Sequence, residues 1–153
     1  MIALAHVSLI SVGRTAPETL YPGTIPIVTG AGQKVTIEEI RRVALSLPRA
    51  YEALVRDRVK FRVGRIVFVA LSRDETTMGC GFPREERAAL VAAEPEKFFM
   101  PIPSELRYQW IEVRLSAIDV DEMRELVTNA WTMCVPKRVA REHLGTEEIV
   151  RDA

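Results

Sequence analysis

The chain has 153 residues, 48% apolar and 27% charged, enough to bury a core and too apolar for wholesale disorder. No unbroken apolar run, Ile66–Leu71 included, exceeds six residues, whereas a bilayer span needs about 20, so no membrane association is expected. Twenty-one basic residues balance twenty-one acidic ones, so attraction to nucleic acid could come only from a local patch.

Residues 1–34 differ from the rest, with three prolines, four glycines, two basic residues and one acidic. The stretch Ile2–Ile10 lacks a positive leading region, and His6 and Ser8 interrupt it, so it reads poorly as a secretion signal. A poorly packed extension in a cytoplasmic protein is the expectation. Val28-Thr29-Gly30-Ala31-Gly32 opens like a dinucleotide fingerprint, but Val35 stands where the third glycine belongs.

One domain is expected from Val35 to Gly145, followed by a short tail over 146–153. Thr36 and Glu39 have the spacing of a capping box, with Val35 and Ile40 as its hydrophobic staple. Ile37, Ile40, Val43, Ala44 and Leu47 then fall on one helical face, and Leu47-Pro48 ends the helix. From Tyr51 the period becomes two. Val59, Phe61 and Val63 point one way while Lys60 and Arg62 point the other. Gly64-Arg65 fits a two-residue type II′ hairpin turn into Ile66–Leu71, and the polar turn Ser72–Glu75 leads to Thr76–Phe82.

Pro83 opens a second helix, Arg84–Ala93, closed by Glu94-Pro95. Residues 95–109 are extended and proline-punctuated, with Phe98 and Phe99 expected inside. Trp110–Leu115 alternates as a strand with one wet face. Asp119 and Glu122 form another capping box, and Val120, Met123, Val127, Ala130, Trp131 and Cys134 make a buried stripe. Pro136 interrupts this helix. A short helix to Leu144 follows, with Gly145 as its stop and His143 near its C-terminus. The result is an α+β fold, an antiparallel sheet packed against helices in the order α-β-β-β-(β)-α-β-β-α.

Chemistry is sparse. Two cysteines and two histidines make neither a disulfide framework nor a zinc spacing, so no metal and no cofactor are expected. Gly79-Cys80-Gly81 could expose a thiol, but the only histidine of the domain is His143, sixty-three residues away. Carboxylates cluster in helix first turns, where capping accounts for them. Nothing here favours an enzyme.

The signal with direction is positive charge. Residues 49–65 hold six basic and two acidic residues. Arg58, Lys60, Arg62 and Arg65 are the first candidates for phosphate contacts, joined by Arg56 and Arg73 at turns and by Arg114 if its strand pairs in register. Lys137 and Arg138 form a secondary cluster. Arginine outnumbers lysine 17 to 4 throughout, so a solvated sheet face is the plain alternative. Phe61 and Phe68 look inward, which gives base stacking little support.

Three segments carry a likeness: Lys60-Phe61-Arg62-Val63-Gly64-Arg65-Ile66-Val67-Phe68, Pro83-Arg84-Glu85-Glu86-Arg87 and Ala93-Glu94-Pro95-Glu96-Lys97-Phe98-Phe99. With Trp110–Leu115, Asp121-Glu122-Met123, Ala130-Trp131 and Pro136-Lys137-Arg138, residues 36–141 resemble the MmcQ/YjbR-like family of small bacterial proteins. The resemblance implies a secretion-chaperone-like α+β fold. It also implies DNA binding through two projecting hairpin wings, with no catalytic residues. The chain departs from the pattern at Arg56-Asp57-Arg58, where relatives carry histidine or glycine. It departs again at Met78–Gly81, where they often carry a lysine. Weak DNA binding by a non-enzymatic protein is thus the leading expectation. The competing one is a module that binds a protein or peptide through Phe98, Phe99, Met100 and Ile102.

Overall fold

The computed structural model describes residues 32–152. Its first helix, α1 (Ile37–Ser46), starts at Thr36, whose Oγ1 accepts a hydrogen bond from the Glu39 amide at 3.3 Å. The Glu39 carboxylate turns away from the cap and pairs with Arg42 at 3.0 Å. Ile40, Val43 and Ala44 are buried, and Leu47 leaves the helix with extended backbone ahead of Pro48.

Six strands follow: β1 (Ala50–Val55), β2 (Arg58–Val63), β3 (Ile66–Leu71), β4 (Thr77–Gly81), β5 (Phe98–Phe99) and β6 (Trp110–Arg114). They form one antiparallel open sheet in the order β1-β2-β3-β4-β6-β5. The first four are a meander of tight hairpins. Val63 pairs with Ile66 across Gly64-Arg65, and of that dipeptide only Gly64 has positive φ (61°), as a type II′ turn requires. Val55 pairs with Arg58 across Arg56-Asp57, and there both residues have positive φ (52° and 64°). That is the type I′ signature in a dipeptide with neither glycine nor asparagine.

One sheet face is covered. Phe61, Val63, Val69, Leu71, Met78, Cys80, Ile111 and Val113 pack there against α1 and α3 (Val120–Thr132). A register shift at Phe61/Arg62 bulges Phe68 out of the β3 ladder, and it too is fully buried. The Trp131 indole, wholly buried in α3, donates to the Pro48 carbonyl at 2.8 Å and ties that helix to the end of α1. The helix α2 (Arg84–Ala93) packs beside β5 and contributes Leu90 to the same core. Among the described residues no helix is long and apolar enough to cross a membrane.

Three expectations need correction. The last helix, α4 (Lys137–Asp152), runs through Gly145 instead of stopping there. A glycine costs a helix interior about 1 kcal/mol, too little to end one by itself. His143 accordingly is not at a helix end; its ring meets the Trp131 indole edge-on at 5.2 Å. Residues 32–34 are exposed, as expected of a poorly packed stretch, yet they are anchored: the Gly32 amide donates to Asp119 Oδ2 at 3.1 Å, and the Lys34 backbone pairs with that of Asp119 in an isolated antiparallel β-bridge. The rest of the expected extension, Val28–Ala31 included, lies outside the described residues. Cys134 lies beyond the α3 terminus and is half-buried rather than part of the closed core.

Candidate nucleic-acid interface

The second sheet face carries no helix layer, and strand alternation decides what stands on it. Arg58, Lys60 and Arg62 project there from β2, opposite the buried Phe61 and Val63. Ala70 and Val67 follow on β3, Gly79 on β4, and Trp110, Glu112 and Arg114 on β6. Register therefore places Arg114 on the face of the β2 cations. Its guanidinium lies 4.5 Å over the Phe99 ring and donates to the Pro95 carbonyl.

A groove of about 670 Å³ crosses this face. Val67, Ala70 and Trp110 floor it; Arg58, Lys60 and Arg65 form one rim, and Glu105, Tyr108 and Gln109 the other. Met133 and Cys134 close one end, where α3 approaches Gly81 so nearly that a Cβ there would lie 3.4 Å from that of Ala130. The acidic rim is held from behind. Arg87, buried in α2, donates to the carbonyls of Leu106, Tyr108 and Trp110, and Arg84 donates to that of Arg107. A loop whose carbonyls are so fastened is a fixed wall.

Ion pairing divides the cations, and Lys34, Arg49, Arg84, Arg87, Arg107, Lys137 and Arg141 form no ion pair among the described residues any more than the hairpin cations do. Arg41, Arg42, Lys97, Arg124 and Arg138 all form ion pairs. Arg56, Arg58, Lys60, Arg62, Arg65, Arg73 and Arg114 form none among the described residues. Among the described residues Arg58 donates only to the Leu71 carbonyl, at 3.0 Å, and the buried Arg62 Nε has no partner. Arg73 donates to the Arg56 carbonyl, so these two turn residues meet at one end of the sheet. Lys137 and Arg138 open α4, and Arg138 lines a separate hollow with Pro48, Arg49 and His143.

The face is not uniformly positive. Glu112 sits half-buried beside Trp110, and burial pushes its carboxyl above the usual range despite the nearby Arg58. The Cys80 thiol points into the core, and burial, helped by the Glu112 charge, pushes it up to about 12. A nucleophilic thiol needs the reverse shift. Of the proposed protein-docking residues, Phe98 is buried and Phe99 half-covered by Arg114, while Met100 and Ile102 are exposed.

Trp110, Tyr108, Glu112 and Arg87 are the site residues that sequence reasoning missed. Only the alternation of Trp110 with the buried Ile111 hinted at the wet face, and it carried no sign of a groove.

Comparison with known proteins gives one family and one fold. A family model described as YjbR matches residues 45–133, more than half of the chain. The crystal structure of Deinococcus radiodurans protein DR2400, which carries the domain DUF419, is similar with a TM-score of 0.59 at 19% identity. The match covers 72% of this chain and 88% of that one. No curated protein matches the chain.

Proposed function

The chain belongs to the YjbR family, and from that premise we propose that it is a DNA-binding protein, not an enzyme, gripping the phosphate backbone with the open face of its sheet. The observation that carries this reading is the unpaired set Arg58, Lys60, Arg62, Arg65 and Arg114 on and beside one face. Cations held in no ion pair are available to phosphate, and arginine suits it through its forked donors. Arg56 and Arg73 extend the set at the turn end, and Lys137 and Arg138 supply a secondary contact. Zero net charge keeps the affinity modest and sensitive to salt.

Fluorescence anisotropy of a labelled duplex, titrated with the protein across salt, tests the reading. Each phosphate neutralised contributes a log–log slope of about −0.9, so a grip by this set gives roughly −3 to −6. Folded Arg62→Glu/Arg65→Glu protein should lose the binding. An unchanged affinity in that variant, or no binding at about 50 mM salt, overturns the reading.

A further inference from the structure

We propose that the groove on the open face is a stacking pocket for an unpaired nucleobase, so that the strand this protein prefers is single. This rests on the DNA-binding reading above and adds to it where the base goes. The floor is a prepared aromatic surface. A Cβ built on Gly79 would stand 2.7 Å from both Cε2 and Cζ2 of Trp110 and closer still to Nε1. Three consecutive atoms of the indole's N–H edge crowd that one point, so this edge of the ring is set against the glycine while the ring lines the groove. Trp110 Nε1 donates to Glu112 at 3.4 Å, which orients the ring in its plane.

The chemistry around that ring suits a nucleotide. Arg58, Lys60 and Arg65 stand on one rim, unpaired, at the place where the phosphates flanking an inserted base would run. Tyr108, about half exposed on the facing rim, offers a second ring. The volume of about 670 Å³ lies within the range of about 300–1,000 Å³ typical of small-ligand sites. In a duplex every base is already stacked, and only a single strand can offer one without the cost of unpairing.

The test is intrinsic fluorescence of the full chain titrated with a short oligothymidylate. Trp131 is wholly buried, so quenching reports on Trp110. Oligothymidylate should quench, and an abasic strand with the same number of phosphates should not. Trp110→Leu should weaken oligothymidylate binding roughly 5- to 150-fold, the equivalent of ~1–3 kcal/mol for one stacked base. Trp110→Phe, which keeps a ring, should retain most of the affinity and separates stacking from misfolding. Equal binding of the abasic strand, or full oligothymidylate affinity in Trp110→Leu, overturns the pocket while duplex binding still stands. If thymidine monophosphate binds as tightly as the oligomer, the strand assignment fails. Absence of duplex binding by the wild-type protein as well removes both readings.

Discussion

The Trp110 indole edge rests on Gly79, its diagonal neighbour across the β4–β6 pairing, at a distance that no side chain larger than hydrogen permits. Two residues thirty-one apart in the chain thus build one surface. Gly79→Ala forces the ring to lift from the strand, and such overpacking costs about 1–3 kcal/mol. Urea unfolding should show that loss, and the emission should move to the red as Trp110 is exposed. Unchanged emission would mean that the ring is not seated on the glycine.

The fixed groove wall depends on a buried guanidinium. Arg87 is 5% exposed and satisfies three carbonyls of residues 106–110. Arg87→Met fills much of the same space and leaves those carbonyls unanswered, at about 1–3 kcal/mol for each that water cannot reach. The expected result is a total loss of roughly 2–4 kcal/mol, with hydrogen exchange quickening in residues 105–110 before the rest of the sheet. A uniform change in exchange would show that Arg87 supports the whole domain and not this loop.

How much of this was legible beforehand depended on distance along the chain. Thr36, Asp119, the Val59–Val63 alternation and Gly64 act through neighbours within four residues, and each element they mark is present. The groove is not of that kind. It requires β6 to lie beside β4 rather than beside β5 alone, which sets Trp110 over Gly79 and brings Arg114 to the face of Lys60. No local pattern encodes that pairing. Base stacking looked unsupported because Phe61 and Phe68 face inward, and they do; the aromatic surface came from another strand.

The Arg56-Asp57 turn was hidden for a different reason. Left-handed backbone is announced by glycine or asparagine, and this turn has neither. Each non-glycine residue held there is destabilised by roughly 1 kcal/mol. Replacing the pair by Asn-Gly should raise stability by about 1 kcal/mol, seen as a higher urea midpoint with an unchanged m-value. It also removes one cation and one anion, leaving the net charge unchanged, so the salt slope of duplex binding should become shallower by about 0.9 if Arg56 contacts phosphate. A more stable variant with the wild-type salt slope would exclude Arg56 from the interface.

The buried ammonium of Lys97 makes the sharpest prediction with pH. Its Nζ lies 2.8 Å from Glu122 and 3.1 Å from Glu94, with all three side chains nearly enclosed. Burial pulls the Lys97 pKa down, but the hydrogen bonds to Glu122 and Glu94 outweigh it, and the net shift is upward from 10.5. Burial lifts the Glu122 carboxyl above 4.5 in turn. A base with a raised folded-state pKa contributes stability that is complete below its unfolded value and lost as pH rises through the folded one. Lys97→Met abandons two buried carboxylates, costing about 3–5 kcal/mol at neutral pH. That deficit should shrink as pH falls through the raised pKa of Glu122, which takes up a proton and no longer needs a counter-ion. It should shrink again above pH 10.5, where the wild type loses its own ammonium charge. Unfolding free energies of both proteins at acid, neutral and alkaline pH therefore trace a gap that is widest in the middle. A gap independent of pH would mean that Lys97 acts through the packing of its stem, and that the charge of the triad contributes nothing.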